Sequence, residues 1–189
     1  MIDKISILKI VECTSVDGPG LRTSVYCAGC VNRCVGCHNP QSWDINNGTW
    51  TSVEDVLSAI KNDDDFCNVT FTGGDPMYQP LAFANLARRI KEETTKTIWC
   101  YTGYTFEQIL ADDNKKKLLQ YLDVVVDGKF VQSLRDESLV FKGSSNQRVI
   151  DVKASLERNK VVLFEYNPFP DIEYMDYSIM TPVRSAVLC

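Results

Sequence analysis

The sequence predicts an α/β protein whose mostly parallel sheet forms a whole β/α barrel or part of one. Three observations predict this class. Short, almost continuously apolar segments alternate with amphipathic helical segments through the middle of the chain. Parallel strands covered on both faces have such apolar runs, and the alternating helices supply the cover. Each apolar segment is also followed by a polar or glycine-rich turn, and such turns converge at one edge of a parallel sheet.

Turn residues and apolar runs mark the first part of the sheet. Strands are expected over residues 5–11 and 21–27, separated by the Asp-Gly-Pro-Gly turn of residues 17–20. The second strand leads directly into a cysteine-rich loop. A helix is expected to begin at the capping box of residues 51–54, because apolar residues then recur at helical spacing as far as Ile60.

The same alternation continues through the middle of the chain. Three further strands are expected over residues 67–71, 97–101 and 123–126, and two helical segments over residues 79–93 and 106–122. Each of these strands ends in a polar turn, and the three turns are Gly73-Gly74-Asp75, Thr102-Gly103-Tyr104 and Asp127-Gly128-Lys129. We therefore expect these turns and the cysteine-rich loop to face one cavity.

The pattern is weaker after Lys129. Three short strands are expected there, over residues 139–142, 147–152 and 160–166. Prolines and the lack of a helical period predict an irregular segment over residues 167–189. No repeat or linker divides the chain, so we expect one domain over residues 1–189, with residues 156–189 as a C-terminal extension packed on it.

Length and charge narrow the functional classes. The chain has 189 residues, with 20 Lys and Arg against 25 Asp and Glu, and a net charge of −5. It has no basic stripe, so nucleic acid is not an expected partner. Charged residues interrupt residues 1–11, and no apolar run approaches the length of a membrane span. We therefore expect a cytoplasmic protein without a membrane partner.

The chain contains eight cysteines, an even number that would permit four disulfides. A reducing compartment and a chain of this length argue against that pairing. Cys67 and Cys100 lie in apolar, strand-like runs and are expected to be core thiols. The sequence assigns no role to Cys13 or Cys189.

Three cysteines in one short loop form the most informative motif. Cys30, Cys34 and Cys37 are separated by three and then two residues, and Gly36 lies among them. Such a loop can fold around an iron–sulfur cluster, because thiolate is the ligand that these clusters need. Three ligands leave one iron of a 4Fe-4S cluster open, and an open iron can bind a substrate.

Two other arrangements of the same residues remain open. Cys27 lies three residues before Cys30, so four thiolates could hold zinc or a closed electron-transfer cluster. Zinc modules usually separate their ligand pairs by a dozen or more residues, and Cys27 ends an apolar run in which a buried thiol would pack well. His38 could complete a Cys3His zinc site, although adjacent residues rarely bind one metal ion, or it could simply donate a hydrogen bond within the loop.

The CX3CX2C spacing resembles that of the radical S-adenosylmethionine enzymes. The turn Gly73-Gly74-Asp75 resembles their Gly-Gly-Glu segment, which hydrogen-bonds the amino group of the cofactor's methionine moiety. A more specific resemblance is carried by five motifs, at residues 29–37, 72–76, 99–104, 126–130 and 143–148. In order and spacing they resemble the activating proteins of anaerobic (class III) ribonucleotide reductase, over roughly residues 5–153.

This resemblance implies a partial β/α barrel and a definite chemistry. A 4Fe-4S cluster on Cys30, Cys34 and Cys37 would bind S-adenosylmethionine, and one electron would cleave it to methionine and a 5′-deoxyadenosyl radical. That radical would take a hydrogen atom from a glycine near the carboxyl terminus of anaerobic ribonucleoside-triphosphate reductase. The implied partners are this reductase and an electron donor such as reduced flavodoxin.

The resemblance also assigns cofactor-binding residues by position. These residues are Gly36, Cys37, His38, Gly73, Gly74, Asp75, Asp127 and Lys129. Lys129 would pair with the cofactor carboxylate, although a surface lysine on a turn is the simpler interpretation. Thr102 and Asp127 would be able to bind a monovalent cation. The resemblance gives no mechanism for residues 143–148, where an asparagine-stabilised turn is the simplest account.

Overall fold

The structure is a computed structural model, and it describes residues 3–166 of the chain. The predicted irregular segment at residues 167–189, Cys189 and most of the predicted C-terminal extension lie outside the described residues. The strands are β1 (Lys4–Thr14), β2 (Arg22–Cys27), β3 (Thr49–Ser52), β4 (Asn68–Gly73), β5 (Ile98–Tyr101), β6 (Val124–Asp127) and β7 (Arg148–Asp151). The α-helices are α1 (Val53–Asn62), α2 (Pro80–Glu93), α3 (Phe106–Leu110), α4 (Asp113–Leu119) and α5 (Val152–Arg158).

All seven strands form one sheet in the order β3-β1-β2-β4-β5-β6-β7. The four central strands β2, β4, β5 and β6 are parallel, whereas β1, β3 and β7 pair antiparallel with their neighbours. The predicted α/β class with a parallel sheet is thus confirmed for the centre of the sheet. Because the central strands are parallel, their carboxyl ends share one edge, as the cavity prediction requires.

The two faces of the sheet are covered by different parts of the chain. Ile98, Cys100 and Val125 belong to the main core, which also contains the buried sides of α1, α2 and α4. Their strand neighbours Trp99, Val124 and Val126 point to the opposite face, where partly buried aromatic residues cover them. Burial of each large apolar side chain contributes about 1.5–3 kcal/mol to the stability of the folded state. Both faces are therefore apolar, which explains the continuous apolar runs in the sequence.

Two predicted helical features need correction. The predicted capping box begins one residue too early, because the Ser52 side chain is the N-cap of α1 and accepts a hydrogen bond from Asp55 N. The single helical segment predicted over residues 106–122 is two helices, α3 and α4. Asp112 separates them by accepting hydrogen bonds from the backbone N–H groups of Asn114 and Lys115, which makes it the N-cap of α4.

The prediction for residues 139–166 is mostly wrong. Residues 139–142 form irregular backbone with Phe141 at φ 59°, and residues 160–166 contribute one isolated bridge, between Leu163 and Ile150. Only β7 was predicted correctly in this region, and α5 was missed. The aromatic residues that suggested strands instead cover the second face of the sheet. Trp99 meets the rings of Phe141 and Phe164 edge-on, each with centroids 5.3 Å apart.

A buried glutamine joins the start of α2 to the sheet. Gln79 Oε1 accepts from Ser6 N at 2.9 Å, and Gln79 Nε2 donates to Ser6 O at 3.0 Å and to Ala28 O at 2.9 Å. Its side chain therefore satisfies backbone groups of β1 and of the residue after β2, as a neighbouring strand would.

A disulfide joins Cys13 to Cys67, at the end of the sheet opposite the carboxyl ends of the parallel strands. Cys67 is buried, as predicted, but the prediction that it is a free thiol is wrong in this structure. Cys100 is a free, buried cysteine, as predicted. The bond links the end of β1 to the residue before β4.

We expect Cys13→Ser to lower the free energy of unfolding of the oxidised protein. The cross-link spans a sequence separation of 54 residues, and closing a loop of that size contributes at most about 4 kcal/mol in the chain-entropy model. Urea unfolding with and without dithiothreitol measures the effect, and reduced wild type should unfold at the same midpoint as the variant. An unchanged wild-type midpoint on reduction would contradict the prediction.

Among the described residues, no helix has the length and hydropathy needed to cross a membrane.

Candidate functional site

The carboxyl edge of the parallel strands carries a cavity of about 360 Å³. Cys30, Cys34 and Cys37 all line it, and each is half-buried. The other lining residues come from the rest of the cysteine loop, from the ends of β4 and β5, from the loops after β4, β5 and β6, from residues 143–147, and from Asp17 and Tyr26. The structure thus brings together the turns that the sequence predicted to meet.

The cysteine loop is held at its base by backbone hydrogen bonds. Gly29 N donates to Ser42 O at 2.7 Å, and Cys30 N donates to Trp43 O at 3.1 Å. Gly29 must be glycine, since its φ is +91° and a Cβ there would lie 2.5 Å from the Tyr78 ring. These hydrogen bonds fix the direction in which the loop leaves β2 and hold the start of the loop against residues 42–43.

The sulfur atoms face hydrogen-bond donors as well as the cavity. Asn39 N lies 3.4 Å from Cys37 Sγ, and Asn32 Nδ2 lies 3.8 Å from Cys30 Sγ. Burial raises the pKa of the Cys30 thiol, while hydrogen bonds from Asn32 and Arg33 oppose that rise. Donors directed at sulfur favour the thiolate form, which is the form that binds metal.

The three loop sulfur atoms are not gathered as the ligands of a single zinc ion would be. Zinc at about 2.3 Å from each sulfur would hold tetrahedral ligands roughly 3.8 Å apart. Among the described residues, the only three candidate ligand atoms that lie within 4.8 Å of one another belong to Cys13, Asp63 and Cys67, and a disulfide already joins the two cysteines. The sulfur atoms of Cys30, Cys34 and Cys37 do not all lie within 4.8 Å of one another.

Cys27 lies apart from these ligands. It is fully buried in the main core at the end of β2, and it is not among the residues that line the cavity. Burial raises the pKa of its thiol, which disfavours a thiolate. Its surroundings therefore suit a packed core thiol better than a fourth ligand.

His38 follows the last cysteine and also lines the cavity. Its ring lies 5.8 Å from that of Phe130, measured between centroids. Gly36 has a φ of +74°, so it supplies the left-handed turn between Cys34 and Cys37.

The segment after β4 approaches the base of the cysteine loop. Gly74 N donates to Cys27 O at 2.7 Å, and Asp75 N donates to Gly29 O at 2.9 Å. A Cβ at Gly74 would lie 2.6 Å from Gly29 O, so the two backbones meet closely only because residue 74 is glycine. Gly73 and Gly74 line the cavity.

Asp75 lies behind the cavity wall and is 1% exposed. Its carboxylate accepts hydrogen bonds from Asn32, Met77, Thr102 and Gly103. Burial raises the pKa of Asp75 to about 6, against the opposing effect of these hydrogen bonds. The structure thus places Asp75 beside the predicted site, in contact with protein donors.

Asp127 and Lys129 lie at the end of β6 in different surroundings. Asp127 is buried, accepts from Phe106 N at 2.7 Å and is paired with the guanidinium of Arg148. Lys129 is exposed and lies outside the cavity lining. Thr102 Oγ1 donates to Asp75, so Thr102 and Asp127 each have a protein partner.

Residues 143–148, for which the sequence offered no mechanism, brace the turn after β6. Gln147 Nε2 donates to Gly128 O at 2.9 Å, and Asn146 Nδ2 donates to Lys129 O at 2.9 Å. Gln147 Oε1 accepts from Gly143 N at 2.9 Å, so the same side chain also folds its own segment. Gly143 and Gln147 reach the cavity and form one of its walls.

Sequence reasoning missed a polar pair in the cavity. The hydroxyl of Tyr26 donates to Asp17 Oδ2 at 2.6 Å, and both residues line the cavity. Burial and the neighbouring Asp17 raise the pKa of Tyr26. The only sequence signal was the polar turn at residues 17–20, whose position beside β2 depends on the antiparallel pairing of β1 with β2.

Comparisons with known proteins agree with the cysteine chemistry. The family model described as a 4Fe-4S single cluster domain matches residues 16–150, which include the cysteine loop and all four central strands.

Named relatives match over most of their length. A protein of Vibrio cholerae is 40% identical over 139 residues, which are 70% of this chain and 88% of the relative. A protein of Escherichia coli strain K12 is 37% identical over 141 residues, covering 71% of this chain and 90% of the relative. A protein of Enterobacteria phage T4 is 35% identical over 147 residues, covering 75% and 90%. All three are named anaerobic ribonucleoside-triphosphate reductase-activating protein. With its cluster-type loop, its parallel central sheet and these relatives, the chain belongs to the family of anaerobic ribonucleoside-triphosphate reductase-activating proteins.

Proposed function

We propose that this protein activates an anaerobic ribonucleoside-triphosphate reductase by radical S-adenosylmethionine chemistry. The observation that carries the proposal is the meeting of three half-buried loop cysteines with Gly73 and Gly74 around one cavity. The names of the relatives support the reductase as the protein substrate. The parallel order β2-β4-β5-β6 supports the partial β/α barrel that this chemistry usually occupies.

The donor set suits a 4Fe-4S cluster with one open iron. In the proposal Cys30, Cys34 and Cys37 supply three thiolates, and Cys27 stays in the core. When held by Cys30, Cys34 and Cys37, the cluster would supply the one electron needed for reductive cleavage of a carbon–sulfur bond of S-adenosylmethionine, to methionine and a 5′-deoxyadenosyl radical. The radical removes one hydrogen atom from a glycine of the reductase, giving 5′-deoxyadenosine and a glycyl radical. The electron comes from an external low-potential donor such as reduced flavodoxin.

The chain's own residues bind and enclose S-adenosylmethionine. Cys37, His38, Gly73 and Gly74 line the cavity and are proposed to contact it. Gly36 shapes the loop that carries these contacts. Direct contact with Asp127 or Lys129 stays a prediction, as does the monovalent cation. A reactive radical needs shelter from water, which the cavity walls and the docked reductase would supply together.

The mouth of the cavity suits an apolar contact with the reductase. Val31 is 55% exposed and Val35 is 77% exposed, and both lie on the cysteine loop. Exposed valines beside a cavity that must be closed during the reaction support docking of the reductase at this face.

Electron paramagnetic resonance tests the proposal. We expect the anaerobically reconstituted, dithionite-reduced protein to give a 4Fe-4S signal that changes when S-adenosylmethionine is added, with release of 5′-deoxyadenosine. Addition of an anaerobic reductase should then produce a glycyl-radical signal. A zinc-containing sample without a signal, or a cluster that ignores S-adenosylmethionine, would contradict the chemistry. A glycyl radical formed only on a formate-lyase would contradict the choice of partner.

A further inference from the structure

The Asp75 carboxylate is fully occupied by the protein itself. Oδ1 accepts from Thr102 Oγ1 at 2.8 Å and from Met77 N at 3.0 Å. Oδ2 accepts from Asn32 Nδ2 at 2.8 Å and from Gly103 N at 3.1 Å. A carboxylate offers about four acceptor sites, so all of them are in use. No acceptor site on Asp75 is left for the amino group of a bound molecule.

These four donors come from the loops that form the cavity. Asn32 belongs to the cysteine loop, Thr102 and Gly103 follow β5, and Met77 follows Asp75 itself. Asn32 Nδ2 also approaches Cys30 Sγ at 3.8 Å. One buried carboxylate therefore connects the loops after β2, β4 and β5.

Gly103 shows how closely the asparagine fits. A Cβ at Gly103 would lie 2.3 Å from Asn32 Nδ2 and 2.5 Å from its Cγ. The Asn32 side chain therefore lies directly on the backbone of the β5 loop. Its amide is held between this backbone and the Asp75 carboxylate, in an orientation that directs Nδ2 toward both Asp75 and Cys30.

We propose that Asn32 and Asp75 are positioning residues that hold Cys30 at the cavity. Asp75 fixes the Asn32 amide, and Asn32 fixes the cysteine loop and donates toward Cys30 Sγ. Asp75 then acts on S-adenosylmethionine through the cysteine loop and not by direct contact. The inference rests on the proposed function for the identity of the cluster and cofactor, whereas the contacts themselves need neither.

The first test uses metal-free protein and needs no cluster. The rate constant for alkylation of the Cys30 thiolate by iodoacetamide, independent of the thiol pKa, is obtained from pH–rate profiles by peptide mass spectrometry in wild type, Asn32→Ala and Asp75→Asn. We expect this rate constant to rise about tenfold in both variants, because losing a hydrogen bond to a charged group frees the loop and lets the reagent reach Cys30. The matched control is Asn47→Ala, because the Asn47 side chain is exposed and donates to Gln41 O, outside the cavity.

The double variant separates a shared role from two independent ones. Asn32→Ala combined with Asp75→Asn should alkylate no faster than Asp75→Asn alone, because both changes break the same connection. If Asp75→Asn does not fold, Asn32→Ala still tests the inference. An Asn32→Ala rate equal to that of Asn47→Ala would overturn it.

The second test uses reconstituted protein and distinguishes positioning from direct contact. Both single variants should lose iron to a chelator faster than wild type. The Kd for S-adenosylmethionine, measured from the change in the cluster spectrum, should rise less than about threefold in both variants. A rise above about tenfold in Asp75→Asn, with normal Cys30 alkylation, would show direct contact and overturn the inference. If wild type ignores S-adenosylmethionine, the proposed function fails, and the alkylation test still decides the role of Asn32.

Discussion

Replacing Cys30, Cys34 or Cys37 with alanine should abolish formation of 5′-deoxyadenosine, whereas Cys27→Ala should retain it. Each of the three loop cysteines lines the cavity, so each replacement removes one of the three proposed cluster ligands. Cys27 is fully buried in the core, and its replacement removes only one sulfur atom's packing. Iron and sulfide content, together with product measured by chromatography, report the two steps separately.

The same four variants decide between an open and a closed cluster. A site closed by four thiolates would lose its metal in Cys27→Ala as completely as in Cys30→Ala. Loss of iron in Cys27→Ala, in a protein that still unfolds cooperatively, would therefore reject the open-iron arrangement. Cys100→Ala is the matched control, because Cys100 is also fully buried in the core and free.

Arg148→Ala should lower the free energy of unfolding by about 3 kcal/mol, because it leaves a buried carboxylate without its counter-charge. Asp127 is 1% exposed on its side chain, and Arg148, at 34%, is its ion-pair partner. Arg148 also donates to both carboxylate oxygens of Glu107, at 3.1 and 2.9 Å. Urea unfolding measures the loss. Arg135→Ala is the control, since its ion pair with Glu137 is exposed and contributes no more than about 1 kcal/mol.

A second substitution tests the cause of this loss. Adding Asp127→Asn to Arg148→Ala removes the buried charge and should restore part of the lost stability, since an asparagine can still accept from Phe106 N. A double variant less stable than Arg148→Ala would contradict the buried-charge explanation. It would point instead to packing of the arginine stem.

The acid dependence of stability should also change in Arg148→Ala. Hydrogen bonds from Arg148 lower the pKa of Glu107 to about 2, from 4.5. A lowered pKa means that the folded state holds the proton less tightly, so Glu107 contributes stability above pH 4.5 that is lost as pH falls toward 2. The Arg148→Ala variant should therefore lose less of its free energy of unfolding than wild type as the pH falls from 4.5 toward 2.

Much of the central fold was predictable because its signals are local. Strands β5 and β6 carry apolar residues on both faces, β4 alternates apolar residues with threonine, and each of the three ends in a turn with glycine. Parallel strands place such turns at one edge, so the meeting of Cys30, Gly73 and Gly128 at the cavity followed from pattern alone.

The errors lie where tertiary contacts decide the local structure. Phe141 and Phe164 were read as strand residues, yet they pack on Trp99 from irregular backbone. Asp112 ends one helix and caps the next, which a continuous helical period does not reveal. The disulfide was missed because the approach of Cys13 to Cys67 depends on the order of strands in the sheet.

Site residues were predictable by position but not by contact. The sequence placed Asp75 and Asp127 at the correct strand ends, but their hydrogen-bond partners come from distant segments. Asn32 and Arg148 lie 43 and 21 residues from those carboxylates. No local pattern predicts which donor a buried carboxylate will find.

The buried amide of Gln79 couples the local unfolding of α2 to that of the sheet. Its hydrogen bonds to the backbone of Ser6 and Ala28 are of the kind that a neighbouring strand would make. Separation of α2 from the sheet would therefore break hydrogen bonds of β1 and of the residue that leads into the cysteine loop. These segments should therefore open together as one cooperative unit. Native-state hydrogen exchange would give the backbone amides of Ser6 and Ala28 a common opening free energy, with the base of the cysteine loop protected as strongly as α2.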